Sequence, residues 1–206
     1  KIILADGLAN LVATFLPASK DTIAESSALG LWMGALFYML QIYLDFSAYS
    51  DMAIGMGRMV GFHYKENFNY PYIATSATDF WRRWHISLSS FFRDYVYIPL
   101  GGNRKGTGRT YLNLLIVWFL TGFWHGASWT FVIWGALHGF YLIFAQITLT
   151  FRENIIEKIG LNKFPKIKKY FQVGIVFILV NFAWIFFRAN NLNDAIYVIN
   201  NIFAGY

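Results

Sequence analysis

The chain has 206 residues, 57% hydrophobic and 14% charged, with a mean hydropathy of +0.42. A soluble domain carries about a quarter charged residues to cover its core, so 17 basic and 11 acidic side chains exclude that class and leave an integral membrane protein. The formal charge of +6 does not indicate nucleic acid, because the basic residues fall between apolar runs as in cytoplasmic loops, and the absence of cysteine excludes disulfides, thiolate metal sites and thiol nucleophiles.

The sequence opens on Lys1 with neither an initiator methionine nor a signal-peptide layout, which reads as an excerpt of something longer. Ile3 to Leu16, interrupted by Asp6 and Asn10, reads as a partial span or an interfacial helix. Leu29 to Phe46 is apolar apart from Gln41 and Asp45 and is long enough to span, provided Asp45 finds a partner. Tyr49 to Gly61, rich in glycine and methionine, and Asn67 to Tyr72, with Pro71, read as an irregular connection.

From Ala77 to Val96 the helical period places Phe80, Trp81, Trp84, Leu88, Phe91, Phe92 and Tyr95 within an arc of about 120°. Arg82, Arg83, Arg93 and Asp94 fall opposite, so one interfacial or half-buried amphipathic helix is expected, with His85 at the edge of its aromatic face. Ser76 and Asp79, three residues apart, form an aspartate variant of the capping box at its start. Pro99 to Gly108 is a turn. Tyr111 to Trp124 is uncharged but only about 21 Å long as a helix, against a hydrocarbon core of about 30 Å, which puts His125 at membrane depth. Gly126 and Ser128 mark a break before a full-length span from Ala127 to Leu149 that carries His138. A second basic loop from Arg152 to Lys169 leads to a last span, Tyr170 to Phe187, stopped by Arg188. With both basic loops in the cytoplasm, Tyr111 to Leu149 becomes a hairpin. The fold class expected is all-α, a polytopic transmembrane protein with amphipathic and broken or re-entrant helices, in a single domain over 1–206.

His125 is the sharpest candidate for chemistry, since an ionisable group inside an apolar run is costly and marks a functional site by default. Burial would keep its imidazole neutral, able to take a proton from a hydroxyl nucleophile; the alternative is a structural histidine bonding a carbonyl freed by the helix break. His85 is either a second polar group of the same site or a headgroup-facing residue. His138 lies 13 residues beyond His125, about 220° around a continuous helix, so the two are no obvious dyad, and His63 sits in a polar stretch. Asp45 and Asp51 either line a polar cavity, or are solvated at a helix end or paired with Arg58. No metal site is expected, because the histidines lack close helical spacing. Arg82, Arg83, Arg93, Arg104 and Lys105 suit either lipid headgroups or the phosphates of a cytoplasmic acyl donor.

Taken together, Tyr49-Ser50-Asp51-Met52-Ala53-Ile54-Gly55, Glu66 to Tyr72, Asp79 to Ser89, Phe92 to Arg104, Trp124-His125-Gly126-Ala127 and Trp184 to Ala189 resemble the membrane-bound O-acyltransferase family, in its bacterial alginate O-acetyltransferase branch. The resemblance covers nearly the whole chain from Leu31 and implies the C-terminal, motif-bearing part of a longer protein whose N-terminal helices are missing. It implies acyl transfer to a hydroxyl, with His125 matching the family's invariant histidine and His85 its second polar position. It further implies acetyl-CoA as donor substrate with no bound cofactor, and Arg82, Arg83, Arg93, Arg104 and Lys105 as the donor-binding set. The acceptor would be an exported polysaccharide, or a periplasmic or extracellular acetyl-relay protein, and the location a multi-pass bacterial inner membrane. D-alanyl or other acyl transfer by the same fold, and a non-enzymatic membrane transporter, are the alternatives.

Overall fold

The computed structural model describes residues 1–18 and 27–203, and among these every regular element is helical. In chain order they are α1 (Ala5–Phe15), α2 (Ala28–Met59), a 3-10 turn (Pro71–Ile73), α3 (Ala77–Arg83), α4 (Ile86–Phe92), a π turn (Arg93–Tyr97), α5 (Thr107–His125), α6 (Trp129–Ile147), α7 (Leu149–Lys158), a 3-10 turn (Leu161–Lys163), α8 (Pro165–Arg188) and α9 (Leu192–Ile202). The helices α2, α6 and α8 are long and apolar enough to cross a membrane. α5 has 19 residues but is not among them, because Arg109, Asn113 and His125 lower its apolarity.

Two expectations are corrected. The segment from Tyr49 to Gly61 is not irregular: α2 continues through it to Met59. Glycine weakens a helix only locally and methionine is a good helix former, and this helix stops where its backbone groups find other partners. Gly61, at φ +86°, lets the Phe62 N–H reach the Gly57 carbonyl at 2.9 Å and the Gly61 N–H reach the Arg58 carbonyl at 3.3 Å, the paired bonds of a Schellman cap. Asp45 therefore lies in mid-helix, where its partner is Lys1 at 3.3 Å, and Arg58 pairs with Glu66 at 3.7 Å. The second correction is that Ala77 to Val96 is not one helix. It breaks at Trp84 and His85, then ends in a π turn in which the Ile98 N–H bonds the Arg93 carbonyl.

The chain divides into two compact units. The first comprises residues 1–66, 127–134 and 180–206; the second comprises 67–126 and 135–179. In the first, Leu16, Leu31, Ala35, Ile185, Val198 and Ile202 form a buried cluster, and the Trp32 indole donates to the Ile202 carbonyl at 3.0 Å. In the second, α3 is fastened to α6 by the Trp81 indole N–H, which donates to His138 Nδ1 at 3.1 Å. Trp81 also packs on Trp118 of α5, with ring centroids 4.5 Å apart. These aromatic contacts fix the short helix α3 against the hairpin that carries His125.

Candidate active site

The geometry around His85 begins with how α3 starts and stops. Ser76 Oγ accepts from the Asp79 N–H at 3.0 Å, as the capping spacing requires. The returning bond goes one residue upstream of the usual place, from the Thr75 N–H to Asp79 Oδ2 at 3.1 Å. The other Asp79 oxygen accepts from Arg83 Nε at 2.8 Å, and Arg83 also donates to the Asn69 carbonyl at 3.3 Å. Arg83 is thus committed to holding its own helix and the incoming chain.

After Arg83 the backbone turns. Trp84 is extended, at φ −106° and ψ 128°, and His85 is left-handed, at φ 46° and ψ 55°. A non-glycine residue in that region costs about 1–3 kcal/mol and persists only where its surroundings over-determine it. Here the segment around Asn67 does so. The Asn69 N–H bonds the Arg83 carbonyl at 2.9 Å and the Ile86 N–H bonds the Asn67 carbonyl at 3.0 Å. Asn67 Oδ1 accepts from the Ser87 N–H at 3.1 Å and from Ser87 Oγ at 2.9 Å, and stands 3.2 Å from His85 Nδ1.

His125 is the last residue of α5, followed by Gly126 in an extended conformation, so the expected break falls where the sequence placed it. The Trp124 ring neighbours both histidines, with centroids 4.9 Å from His125 and 6.1 Å from His85. His85 is 9% exposed and His125 half-buried. Burial first, and the charge of nearby His125 second, push His85 down to about 4, so its imidazole is neutral at neutral pH. A neutral imidazole at His85 can accept a hydrogen bond or a proton but does not hold a permanent positive charge.

The basic residues separate. Arg82 and Arg93 line a cleft of about 500 Å³ together with Ser89 and Ser90, over the apolar surfaces of Trp81 and Trp118. Arg93 also forms an exposed pair with Asp94 at 2.8 Å. Arg83 is not part of the cleft, and Arg104 and Lys105 are exposed on the loop before α5. That loop is anchored from below by fully buried Asn113, whose amide donates to the Gly102 carbonyl at 2.9 Å. Neither His85 nor His125 lines the cleft, but Ile86, adjacent to His85, does. His138 belongs to the aromatic core and not to the pair of His85 and His125.

Asn67 is the residue that sequence reasoning missed. It stands inside a motif of the resemblance, yet nothing local shows that its side chain reaches 18 residues ahead.

Residues 1–189 match the membrane-bound O-acyltransferase family. The probable alginate O-acetylase of Azotobacter vinelandii is 47% identical over 195 residues, covering 95% of this chain and 36% of that protein. The peptidoglycan O-acetyltransferase of Helicobacter pylori is 42% identical, covering 98% of this chain and 36% of that protein. The teichoic acid D-alanyltransferase of Streptococcus thermophilus is 30% identical, covering 86% and 46%. The chain spans little more than a third of the length of the first two relatives.

Proposed function

This chain belongs to the membrane-bound O-acyltransferase family, and from that premise we propose that it carries the catalytic histidines of an O-acetyltransferase acting on an exported cell-surface polysaccharide such as alginate. The donor is a cytoplasmic thioester, acetyl-CoA, and the acetyl group reaches the polymer directly or through a relay protein on the far side of a bacterial inner membrane that the protein crosses several times. The observation that carries this reading is the meeting of His85 and His125 at Trp124, with a neutral imidazole at His85.

The reaction needs a base that is unprotonated at neutral pH and can return the proton afterwards. His125 takes the proton from the acceptor hydroxyl as that oxygen bonds to the thioester carbonyl carbon. The carbon–sulfur bond then breaks, and the thiolate of coenzyme A leaves with the proton held by the imidazolium. His85 orients the reacting groups. Arg82 and Arg93, at the cleft, suit the phosphates of the donor, whereas Arg83 supports the backbone and Arg104 and Lys105 offer charge at the loop.

The test is transfer of label from radiolabelled acetyl-CoA to alginate by membranes containing the full-length protein. His125→Ala, inserted normally, should lose transfer by about 10²- to 10⁴-fold, the usual contribution of a general base. Wild-type levels of acetyl ester from that variant would overturn the mechanism, and movement of label across the membrane with no ester formed would mark a transporter instead.

A further inference from the structure

We propose that Asn67 is a positioning residue that fixes the tautomer of His85, holding the ring proton on Nδ1 and leaving Nε2 as the acceptor presented to the reacting groups. The inference rests on the reading of His85 and His125 as the acyl-transfer site.

The argument begins with the identity of one atom. An asparagine amide can be turned either way, but the atom of Asn67 at this site lies 3.1 Å from the Ser87 backbone N–H, which can only donate. That atom is therefore the oxygen. The same oxygen takes the Ser87 hydroxyl at 2.9 Å, so the hydroxyl proton is directed there and not at His85 Nδ1, which is farther from it at 3.4 Å. A carboxamide oxygen cannot donate. Facing it at 3.2 Å, Nδ1 of a neutral His85 must carry the hydrogen, because the other tautomer would set two lone pairs against each other. With Nδ1 protonated, Nε2 is an acceptor. His85 is thereby assigned to accepting from a second hydroxyl, beside the one that His125 deprotonates, and not to stabilising a developing oxyanion, which would need an N–H at that nitrogen.

The same three contacts explain why the arrangement is built across the chain. Asn67 holds the His85 ring through its side chain and the next two residues through the Ile86 and Ser87 N–H groups, so the left-handed backbone at His85 and the orientation of its ring are set by one residue. The titratable group acting on His85 from a neighbouring helix is His125 of α5; on its own segment Arg83 is paired with Asp79.

The experiment compares Asn67→Ala, Asn67→Asp, His85→Ala and the double Asn67→Ala, His85→Ala variant in the full-length protein in membranes, with radiolabelled acetyl-CoA and alginate. Asn67→Ala should lower kcat about 10- to 100-fold, the usual effect of removing a residue that orients a functional histidine, with KM for acetyl-CoA unchanged within about twofold. In the His85→Ala background the same change should add nothing, as expected when one residue acts through the other. Asn67→Asp keeps the accepting oxygen and should restore kcat at alkaline pH, while its carboxylate favours the imidazolium and moves the acid limb of the pH profile upward. An equal loss in both backgrounds would show that Asn67 only supports the backbone, and an unmoved acid limb in Asn67→Asp would overturn the tautomer assignment even if Asn67→Ala fails to insert. If His125→Ala and His85→Ala both transfer acetyl normally, the site itself is wrong and this inference falls with it. If those two abolish or impair transfer while the Asn67 variants follow the wild type, the inference alone fails.

Discussion

A histidine folded where it cannot keep a proton makes stability depend on pH, and at His85 the sign is fixed by the direction of the shift. Free histidine titrates near 6.5, whereas His85 is held down to about 4 by burial and then by His125. Between these values the unfolded chain binds a proton that the folded chain refuses, so stability is complete above about 6.5 and is lost as pH falls through about 4. The loss is of order 3 kcal/mol over that window for a group this well buried. Thermal unfolding in detergent should show Tm falling from pH 6.5 to 4, and His85→Gln should flatten that slope. An unchanged slope would mean that other groups dominate the acid response. Both histidines stand out in the sequence as candidates because each follows an aromatic residue in an apolar stretch. The residue that orients one of them does not, since Asn67 acts through tertiary contact and its own neighbourhood, Glu66-Asn67-Phe68, carries no periodic signal.

At the level of elements, the hairpin of α5 and α6 is held by a pair of glycines four residues apart. A Cβ on Gly135 would collide with the Trp118 carbonyl and come within 3.1 Å of the Gly122 Cα, and one on Gly139 would come within 3.1 Å of the Trp118 Cβ. Small residues at this spacing let helix backbones meet, the main source of cohesion between helices where lipid removes the hydrophobic drive. Gly135→Val should therefore push α5 from α6 and lower stability by about 1–3 kcal/mol, the usual cost of overpacking. The measurement is Tm in detergent, with Gly7→Val as control, because a Cβ at Gly7 meets nothing within 4 Å. An equal shift in both variants would show propensity alone and no close crossing. The end of α5 was readable from Gly126 and Ser128, which break the apolar run locally. The break at His85 was not, because the 3.6-residue period of aromatic residues continues across it, and what interrupts the helix is the chain around Asn67. The extension of α2 to Met59 was missed for the converse reason. Its glycines and methionines look like a loop by composition, but the stop signal is Gly61 alone.

For the whole molecule, sidedness follows from where the charges lie on the chain. The segment before α5 holds Arg104 and Lys105, and the stretch from α7 into α8 holds Arg152, Lys158, Lys163, Lys166, Lys168 and Lys169 against Glu153 and Glu157. Short basic loops stay in the cytoplasm, and both segments are exposed. If both are cytoplasmic, α6 crosses once and α5 must also cross, although it is the less apolar of the two. Its length permits this, since 19 helical residues reach about 28 Å, close to the hydrocarbon thickness. Two of its polar side chains donate to protein instead of facing lipid: the Asn113 amide N–H bonds the Gly102 carbonyl, and the Thr121 hydroxyl donates to the Val117 carbonyl at 2.8 Å. These 206 residues hold no cysteine, so Lys105→Cys and Lys166→Cys each add one thiol to them, any cysteine elsewhere in the full-length protein being first replaced by serine. With a membrane-impermeant maleimide, both should be labelled in inverted vesicles and neither in right-side-out ones. Labelling of Lys105→Cys from outside, with Lys166→Cys still labelled from inside, would mean that α5 enters and leaves on the far side. Arg104 and Lys105 would then face the exterior, where they could offer no charge to a cytoplasmic donor, and the donor path proposed above would lose that loop.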